Sequence, residues 1–467
     1  MSKVVNKDFG RQILHLRQSK KITQVALARL ADIHVTFLSG VEKGQRNISI
    51  ETAQKIADAL GVTLGDLFST HAQELGSKHV ATPVNFVKLG GTWDMQVTSE
   101  GLMGSGQLDD KEFAKLEEDV QGDEEDVVRR LENAFGKTKS VSSKLGEHLP
   151  WVPDIDCLVA GDFYPIFSGD SSHYRTAVMA PALAYLLHKA TAEPERQIIA
   201  GMGTDTVDLL LPYLDAFLFD RHDIYPILVS GANLSFREEH SDAPRNFHDL
   251  AQATHLPLMP GAYYLFDRTI FKGGDITKVD PSENPTSLEG LVTFFAPQRT
   301  HARLGVLETG SIRRENRLGS AGPVFNFGAR DIFTAMNAVF TVNLGDMPDI
   351  KETVAVMNNP ENRAMVIVGH ALGNIPYPIR RAAVEAAHAG KLVINVSRSL
   401  MGNTTNRYYV ALGSANEREL QGTGKLIVEG GRLSNRSAKA LLVRALLENR
   451  DQASTSALVE QYKTRTF

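Results

Sequence analysis

VNFVKLGGT, residues 84–92, is an apolar run that stops on two glycines and a threonine. The cadence returns in QIIAGMGTDT (197–206), YPILVSGAN (225–233), MVIVGHALGN (365–374) and LVINVSRS (392–399). Short apolar runs closed by glycine read as strands, and helix-like stretches such as 178–191 and 379–389 lie between them. Strands alternating with helices predict an α/β body with a mostly parallel sheet. In such sheets the loops at the carboxyl ends of strands carry the site, and the Gly-Thr and Gly-Asn turns sit at those ends.

The chain has 467 residues, which at roughly 150 per domain suggests about three domains. Apolar residues make up 42% and charged residues 22%, which excludes a wholly disordered chain. No run reaches about 18 uncharged apolar residues, so no membrane helix is expected, and the amino terminus lacks the apolar core of a secretory signal. The expected location is the cytoplasm. A lone cysteine, Cys157, excludes an internal disulfide framework and a cysteine-based zinc site. The 14 histidines show no metal spacing, and neither metal nor cofactor is expected.

Charge is unevenly spread. Through Thr70 there are 10 Lys and Arg against 6 Asp and Glu; the remainder carries 40 against 49. A basic head on an acidic body predicts that the head alone meets a polyanion. Within the body, residues 109–132 hold 11 acids and 4 bases and read as a solvated charged face.

The head reads as short helices. Ile13 and Leu16, Leu27 and Leu30, and Ile56 and Leu60 repeat at helical spacing, and Thr23 is placed to cap a helix beginning at Gln24. Helices over 24–31 and 34–42, separated only by Asp32 and Ile33, fit a helix-turn-helix. Thr63 is placed to cap a last turn through Leu67, and 70–80 reads as a linker. KITQVALARLADIHVTFLSGVEKGQRNISIETAQKIADALGVTLGDLF (21–68) resembles the helix-turn-helix family of phage-repressor and Cro-like regulators. The resemblance implies a recognition helix with Phe37, Leu38 and Val41 toward the core and His34, Val35, Thr36, Ser39 and Gly40 outward. His34, Val35, Thr36 and Ser39 would enter the major groove of double-stranded DNA, while Gln24, Lys43, Arg46 and Asn47 would hold phosphates. The outward face carries no Arg, Gln or Asn for bidentate base reading, which predicts modest specificity per head.

In the body, KLGGTWD (88–94), GDSSHY (169–174), GTDTVD (203–208), the 228–253 loop segment and FKGGDITKVD (271–280) occur in one order. VGHALGNIP (368–376), INVSRSLMGNT (394–404) and GGRLSNRSAKALLVRALL (430–447) follow. This series resembles the L-asparaginase/glutaminase family. The resemblance implies a larger α/β domain over 82–335 with an acidic insertion at about 109–150, and a smaller carboxyl-terminal α/β domain over 338–467. The helical head then occupies 7–69 and the linker 70–81.

Amide hydrolysis needs a nucleophile whose proton a base removes, and a lysine oriented by a carboxylate can be that base. The resemblance assigns Thr92 as acylating nucleophile and Thr204, Asp205 and Lys278 as the second catalytic set. By the same carry-over Asp170, Ser171 and Asp205 hold the amino-acid head group, with Asn374 reaching in from the smaller domain. It also implies a homodimer or homotetramer acting on an amino acid or amide. Two regions depart. TWDMQVTSEGLMGSGQ (92–107) has Leu102 or Met103 where the family carries a lid tyrosine, with no tyrosine between Thr92 and Tyr164 and with Trp93 in place of a small aliphatic residue. Near Asn406–Tyr409, where one branch of the family places a glutamate, Tyr409 stands instead. The expected function is a DNA-binding amidohydrolase. The alternative is a transcription regulator whose body senses an amino acid or amide with little hydrolysis.

Overall fold

The computed structural model describes residues 9–10, 13–14, 16–18, 20, 22–46, 48–60, 83–89, 91, 93, 96–97, 103–104, 141–143, 149, 161–167, 176–238, 241–254, 256, 258–274, 276–278, 294–295, 301–303, 322–346, 349–399, 404 and 427–465. Thr92, Asp170, Ser171, Asn47, the turn after Thr63, the linker and the acidic 109–132 segment lie outside the described residues. The chain divides into two compact units, one holding residues 1–80 and the other most of 81–467.

In the first unit, short helical pieces at 9–10, 13–14 and 16–18 precede α1 (Gln24–Leu30), α2 (Val35–Glu42) and α3 (Ile50–Leu60). Thr23 Oγ1 accepts a hydrogen bond from the Ala26 backbone N–H at 3.1 Å, the cap expected of a threonine one residue before a helix. Ile13, Leu27, Leu38, Val41, Ile56 and Leu60 form one apolar core. Their spacing of three or four residues within each helix turns one stripe of each inward.

The second unit begins with β1 (Val84–Leu89), then β2 (Gln96–Val97), β3 (Met103–Gly104), β4 (Val141–Ser143), β5 (Gly161–Phe167) and α4 (Thr176–Ala192). It continues through β6 (Gln197–Gly201), α5 (Val207–Leu218), β7 (Ile227–Ser230), α6 (Ala243–Ala253), β8 (Ala262–Phe266), β9 (Thr269–Lys272), β10 (Thr277–Lys278), β11 (Phe294–Phe295) and β12 (His301–Arg303). An eight-stranded sheet runs in the order β12-β9-β8-β7-β6-β1-β5-β4. Its five central strands, β8-β7-β6-β1-β5, are parallel, and antiparallel strands flank them. β6 and β7 are buried along their whole length, so both read as unbroken apolar runs rather than alternating ones.

The strand order carries the functional information. From β1 the chain goes out to β5 on one side and returns to β6 on the other, a doubly wound order whose direction reverses between β1 and β6. Ligands of open α/β sheets bind in the crevice outside that reversal, and the 90–92 and 203–206 turns close those two strands.

The smaller lobe follows: α7 (Ala329–Asn337), β13 (Val339–Asn343), α8 (Ile350–Asn358), β14 (Ala364–Gly369), α9 (Tyr377–His388), β15 (Leu392–Ser397), β16 (Val428–Glu429), α10 (Asn435–Leu447) and α11 (Gln452–Thr464). Its four parallel strands run β13-β14-β15-β16. One apolar core, including Leu210, Leu214, Val366, Ile394, Leu441 and Val459, runs through both lobes. Among the described residues no helix is long and apolar enough to cross a membrane.

Charged contacts reinforce the seam between α5 and α10. Arg444 is 8% exposed and its guanidinium donates to both carboxylate oxygens of Asp220, to Glu448 and to the Ala216 carbonyl. Burial opposes that charge, yet Asp220 and Glu448 outweigh it and raise the guanidinium pKa above its ordinary value. Replacing Arg444 by alanine strands two carboxylates at the seam. In denaturant melts Arg444→Ala is expected to lower body stability by about 3 kcal/mol, with Arg444→Lys intermediate because it keeps the charge but not the fork. A loss below about 1 kcal/mol would remove the seam's dependence on this residue.

Candidate functional site

The body site is built where three strand-end turns stack backbone on backbone. Gly91, after β1, has a φ of +113°, and a side chain there would overlap the backbone of Gly203 after β6. Gly231, after β7, has no room for a Cβ because the Met202 carbonyl occupies that space. Met202 in turn donates its N–H to the Ser230 carbonyl at 2.9 Å. These glycines are required by close approach, and Gly91 additionally by a backbone conformation that side chains disfavour.

Beyond Gly91 the chain enters the core. Trp93 is 1% exposed, with its ring 4.9 Å from Phe247 and edge-on to Phe86. Its indole fills the space that a side chain on Gly201 would take, so a large residue beside Thr92 is matched by an absent one under it. The Trp93 carbonyl accepts from Phe236 N–H at 3.1 Å, tying the loop after β7 to this turn. That loop is itself knit by Asp242, whose carboxylate accepts from the N–H groups of Asn233 and Leu234 and from Asn246.

At the end of β6, Gly203 presents its carbonyl to the N–H groups of Thr206 and Val207, starting α5. Thr206, rather than Asp205, occupies the cap position, which leaves the Asp205 carboxylate outside the helix's own bonding. Lys278, on β10, reaches back across 73 residues of sequence: its Nζ donates to Asp205 Oδ1 at 2.5 Å and to Thr204 Oγ1 at 2.9 Å. Thr204 is buried, Lys278 is 16% exposed and Asp205 is 62% exposed. The hydroxyl therefore lies inside, the amine spans inside and outside, and the carboxylate opens to solvent. A neutral amine in that place would accept the Thr204 proton.

The structure thus brings together Thr204, Asp205 and Lys278, the three residues that the resemblance groups. Thr92, Asp170 and Ser171 fall outside the described residues; Gly91 lies against the backbone of Gly203, the residue before Thr204. The lid position also has a partial description: β2 and β3 pair antiparallel, Gln96 with Gly104 and Val97 with Met103. Asn374 lies in the smaller lobe after β14, in a turn closed by reciprocal backbone bonds with His370 at 2.8 and 2.9 Å. Among the described residues its side chain makes no hydrogen bond to the Thr204 group. No cluster of three or more His, Cys, Asp or Glu there has a metal-holding arrangement.

In the head, the buried Glu42 carboxylate accepts from Arg17 Nε at 2.7 Å, Arg17 Nη2 at 3.1 Å and Gln24 Nε2 at 2.7 Å. Gln24 thus spends an amide hydrogen on an internal bond. His34 caps α2: its Nδ1 accepts from the Thr36 N–H at 3.3 Å and lies 2.7 Å from the Thr36 hydroxyl. That role leaves Nε2 as the ring's outward donor. His34, Thr36, Lys43 and Arg46 are exposed, and Val35 and Ser39 are half-buried.

One expected outward position is corrected. Gly40 is buried, because the Arg46 side chain lies over it: a Cβ there would come within 2.9 Å of the Arg46 Cγ. The Arg46 guanidinium sits 5.9 Å above the Phe37 ring, which is only half-buried. Recognition-helix periodicity reports the inward stripe correctly at Leu38 and Val41, but it cannot see a chain returning from six residues later to cover a glycine. The stacked turns supply a direct check. Gly91→Ala, which forces a strained φ into occupied space, is expected to lower body stability by about 2 kcal/mol or more in a melt. An unchanged midpoint would refute the backbone contact.

Comparison with known proteins follows this division of the chain. A helix-turn-helix family model matches residues 13–67, and an asparaginase amino-terminal family model matches 84–287. The head is 42% identical over 60 residues to Control protein C.BamHI of Bacillus amyloliquefaciens, covering 13% of this chain and 74% of that protein. It is 37% identical over 67 residues to Control protein C.MunI of a Mycoplasma species, covering 14% of this chain and 90% of that one. The body matches the thermostable L-asparaginase from Thermococcus kodakarensis at a TM-score of 0.53 and 19% identity, over 81% of this chain and 97% of that one. L-asparaginase I from Vibrio cholerae matches at 0.54 and 14% identity, over 83% and 98%. The chain therefore belongs, through its head, to the helix-turn-helix family that includes these control proteins, and the part that follows matches the asparaginase amino-terminal family model over residues 84–287 and has the fold of the L-asparaginase structures.

Proposed function

We propose that this protein is a DNA-binding amidohydrolase of cytoplasmic location, whose body cleaves the side-chain amide of asparagine, glutamine or a close relative. The observation that carries the reading is the single amine of Lys278 bonded at once to the Thr204 hydroxyl and the Asp205 carboxylate. An amine shared between a buried hydroxyl and an exposed carboxylate is arranged to move a proton.

Thr92 attacks the amide carbonyl carbon, and its hydroxyl proton passes toward the Thr204–Lys278 pair. Backbone N–H groups of the Gly91 and Gly203 turns stabilise the developing oxyanion; as the tetrahedral intermediate collapses the proton taken from Thr92 passes to the amide nitrogen, the C–N bond breaks and ammonia leaves. Water then attacks the acyl-enzyme and releases the acid, restoring Thr92. Asp170, Ser171 and Asp205 hold the head group, with Asn374 contributing from the smaller lobe.

The head places this chemistry on double-stranded DNA. His34, Val35, Thr36 and Ser39 face the groove, while Gln24, Lys43, Arg46 and Asn47 meet phosphates. A homodimeric or homotetrameric body presents paired heads, which suit half-sites about 34 Å apart. A sensor that binds the same ligand without turnover is favoured by the missing tyrosine between Thr92 and Tyr164 and by the attachment of the body to a helix-turn-helix head.

Two measurements test the reading. Wild-type protein is expected to release ammonia from asparagine or glutamine, with kcat lowered about 100-fold or more in Thr204→Val and Lys278→Met and abolished in Thr92→Ala. No ammonia from any amide, together with a ligand-dependent rise in Tm, replaces the hydrolase with the sensor. In gel shifts across a salt series, Lys43→Ala is expected to weaken DNA binding uniformly and reduce the salt slope by about one. An unchanged slope removes Lys43 from the phosphate contacts.

A further inference from the structure

Lys278 stands on a two-residue strand, a short support for a residue that must be held within a fraction of an ångström of Thr204. The chain leading to it is gripped four residues earlier, at Gly274. The Gly274 N–H donates to Asp215 Oδ2 at 3.2 Å. Its carbonyl accepts from Ser434 Oγ at 3.1 Å and from Ser437 Oγ. Gly273 is fixed as well, its N–H donating to the Ala262 carbonyl at 2.8 Å. No side chain could replace the hydrogen of Gly274, because the Tyr462 hydroxyl fills that space.

Each jaw comes from a different part of the body. Asp215 is on α5, the helix that starts just after Thr204 and Asp205. Ser434 caps α10 and Ser437 lies in its first turn. Asp215, 2% exposed, is held in turn by the carboxyl-terminal segment: the Tyr462 hydroxyl donates to Oδ2 at 2.6 Å and Arg465 Nη2 lies 2.5 Å away. The other oxygen, Oδ1, accepts from the Ala262 N–H at 3.2 Å. Arg465 is stacked 3.6 Å over the Tyr462 ring, whose edge meets Phe219 at 5.0 Å. The Gly274 N–H and carbonyl are thus both taken, the first by the helix that starts just after Thr204 and the second by the smaller lobe.

We propose that the clamp of Asp215, Ser434 and Ser437 on the Gly274 peptide is the positioning device for Lys278, so that the smaller lobe sets the alignment of the amine with Thr204. The proposal rests on the amidohydrolase reading for what Lys278 does, but the alignment is a physical property measurable without turnover. Asp215, Ser434 and Ser437 are positioning residues; none touches the reacting groups. The clamp turns a packing arrangement into a route by which a change in α10 or α11 reaches the amine.

The test uses the full chain and two readouts. The first is acylation of Lys278 by an amine-reactive ester, followed peptide by peptide in a mass spectrometer, with Lys189 as internal reference. The second is the kcat and KM of ammonia release. Ser437→Ala removes one jaw, and Ser456→Ala, a small buried change on α11 away from the clamp, controls for general loosening. Ser437→Ala is expected to change the Lys278 acylation rate about fivefold or more and to lower kcat about tenfold at nearly constant KM, with Ser456→Ala moving neither. Adding Ser434→Ala is expected to deepen both effects, because the carbonyl then loses both donors. Unchanged Lys278 acylation in the folded double variant, verified by its melting curve, overturns the clamp. Altered acylation without ammonia release in any variant or in wild type leaves the clamp standing and overturns the amidohydrolase reading instead. If the double variant does not fold, the Ser437→Ala acylation rate decides alone, and equality with wild type overturns the proposal.

Discussion

The approach of Gly91 to Gly203, with no side chain between two strand-end turns, is the contact on which the body site depends. It sits where the doubly wound sheet reverses its order, between β1 and β6, so the two turns have neighbouring strands beneath them and no helix between them. Sheet topology alone would leave a crevice there. The Gly91–Gly203 approach narrows it to backbone contact, and Gly231 brings a third turn against Met202. Everything the site does chemically is held to this frame. Thr204 leaves the turn into the interior, Asp205 leaves it toward solvent, and Lys278 joins them from β10.

That frame is supported from behind by an unusual number of charged and polar contacts crossing the seam to the smaller lobe. Arg444 with Asp220, Arg436 with Asp208, Arg465 and Tyr462 with Asp215, and the two serines on Gly274 all converge on α5 or the strand pair beside it. The apolar core that runs through both lobes supplies the bulk of the burial, being indifferent to small rotations. Directional bonds do what apolar packing cannot: they choose one rotation of α10 against α5. Because α5 begins at the site, this choice is felt at Thr204 and Lys278.

Much of this was readable in the chain before any coordinates. Glycine-ended apolar runs name the strands and the end of the sheet that carries chemistry, since burial on both faces demands unbroken apolar residues and tight exits demand glycine. Thr23 and the spacing of Leu27, Leu38, Val41 and Ile56 name the head for the same local reasons. Trp93 shows the boundary of such reading. In the sequence it is a bulky residue in a place that suits a small one, and its match, the missing side chain of Gly201, is 108 residues distant and visible only when β1 and β6 lie side by side. Gly40 fails similarly: its outward phase is correct for an isolated helix, and Arg46 covers it.

The sequence by itself determined what could be stated locally: a small helical head, an α/β body, the strands and the turns with chemistry at their tips. Periodicity, caps and glycine exits are properties of neighbouring residues, and neighbours are all a sequence displays. Only the tertiary structure decided which distant groups share a volume. That Lys278 reaches Thr204 and Asp205, that Glu42 is satisfied by Arg17 and Gln24, and that Asp215 is closed by Tyr462 and Arg465 from near the end of the described chain follow from strand order and lobe packing. A charge or hydroxyl carries no mark of its partner until the fold removes water from around both, and then leaving it unpaired costs about 1–3 kcal/mol.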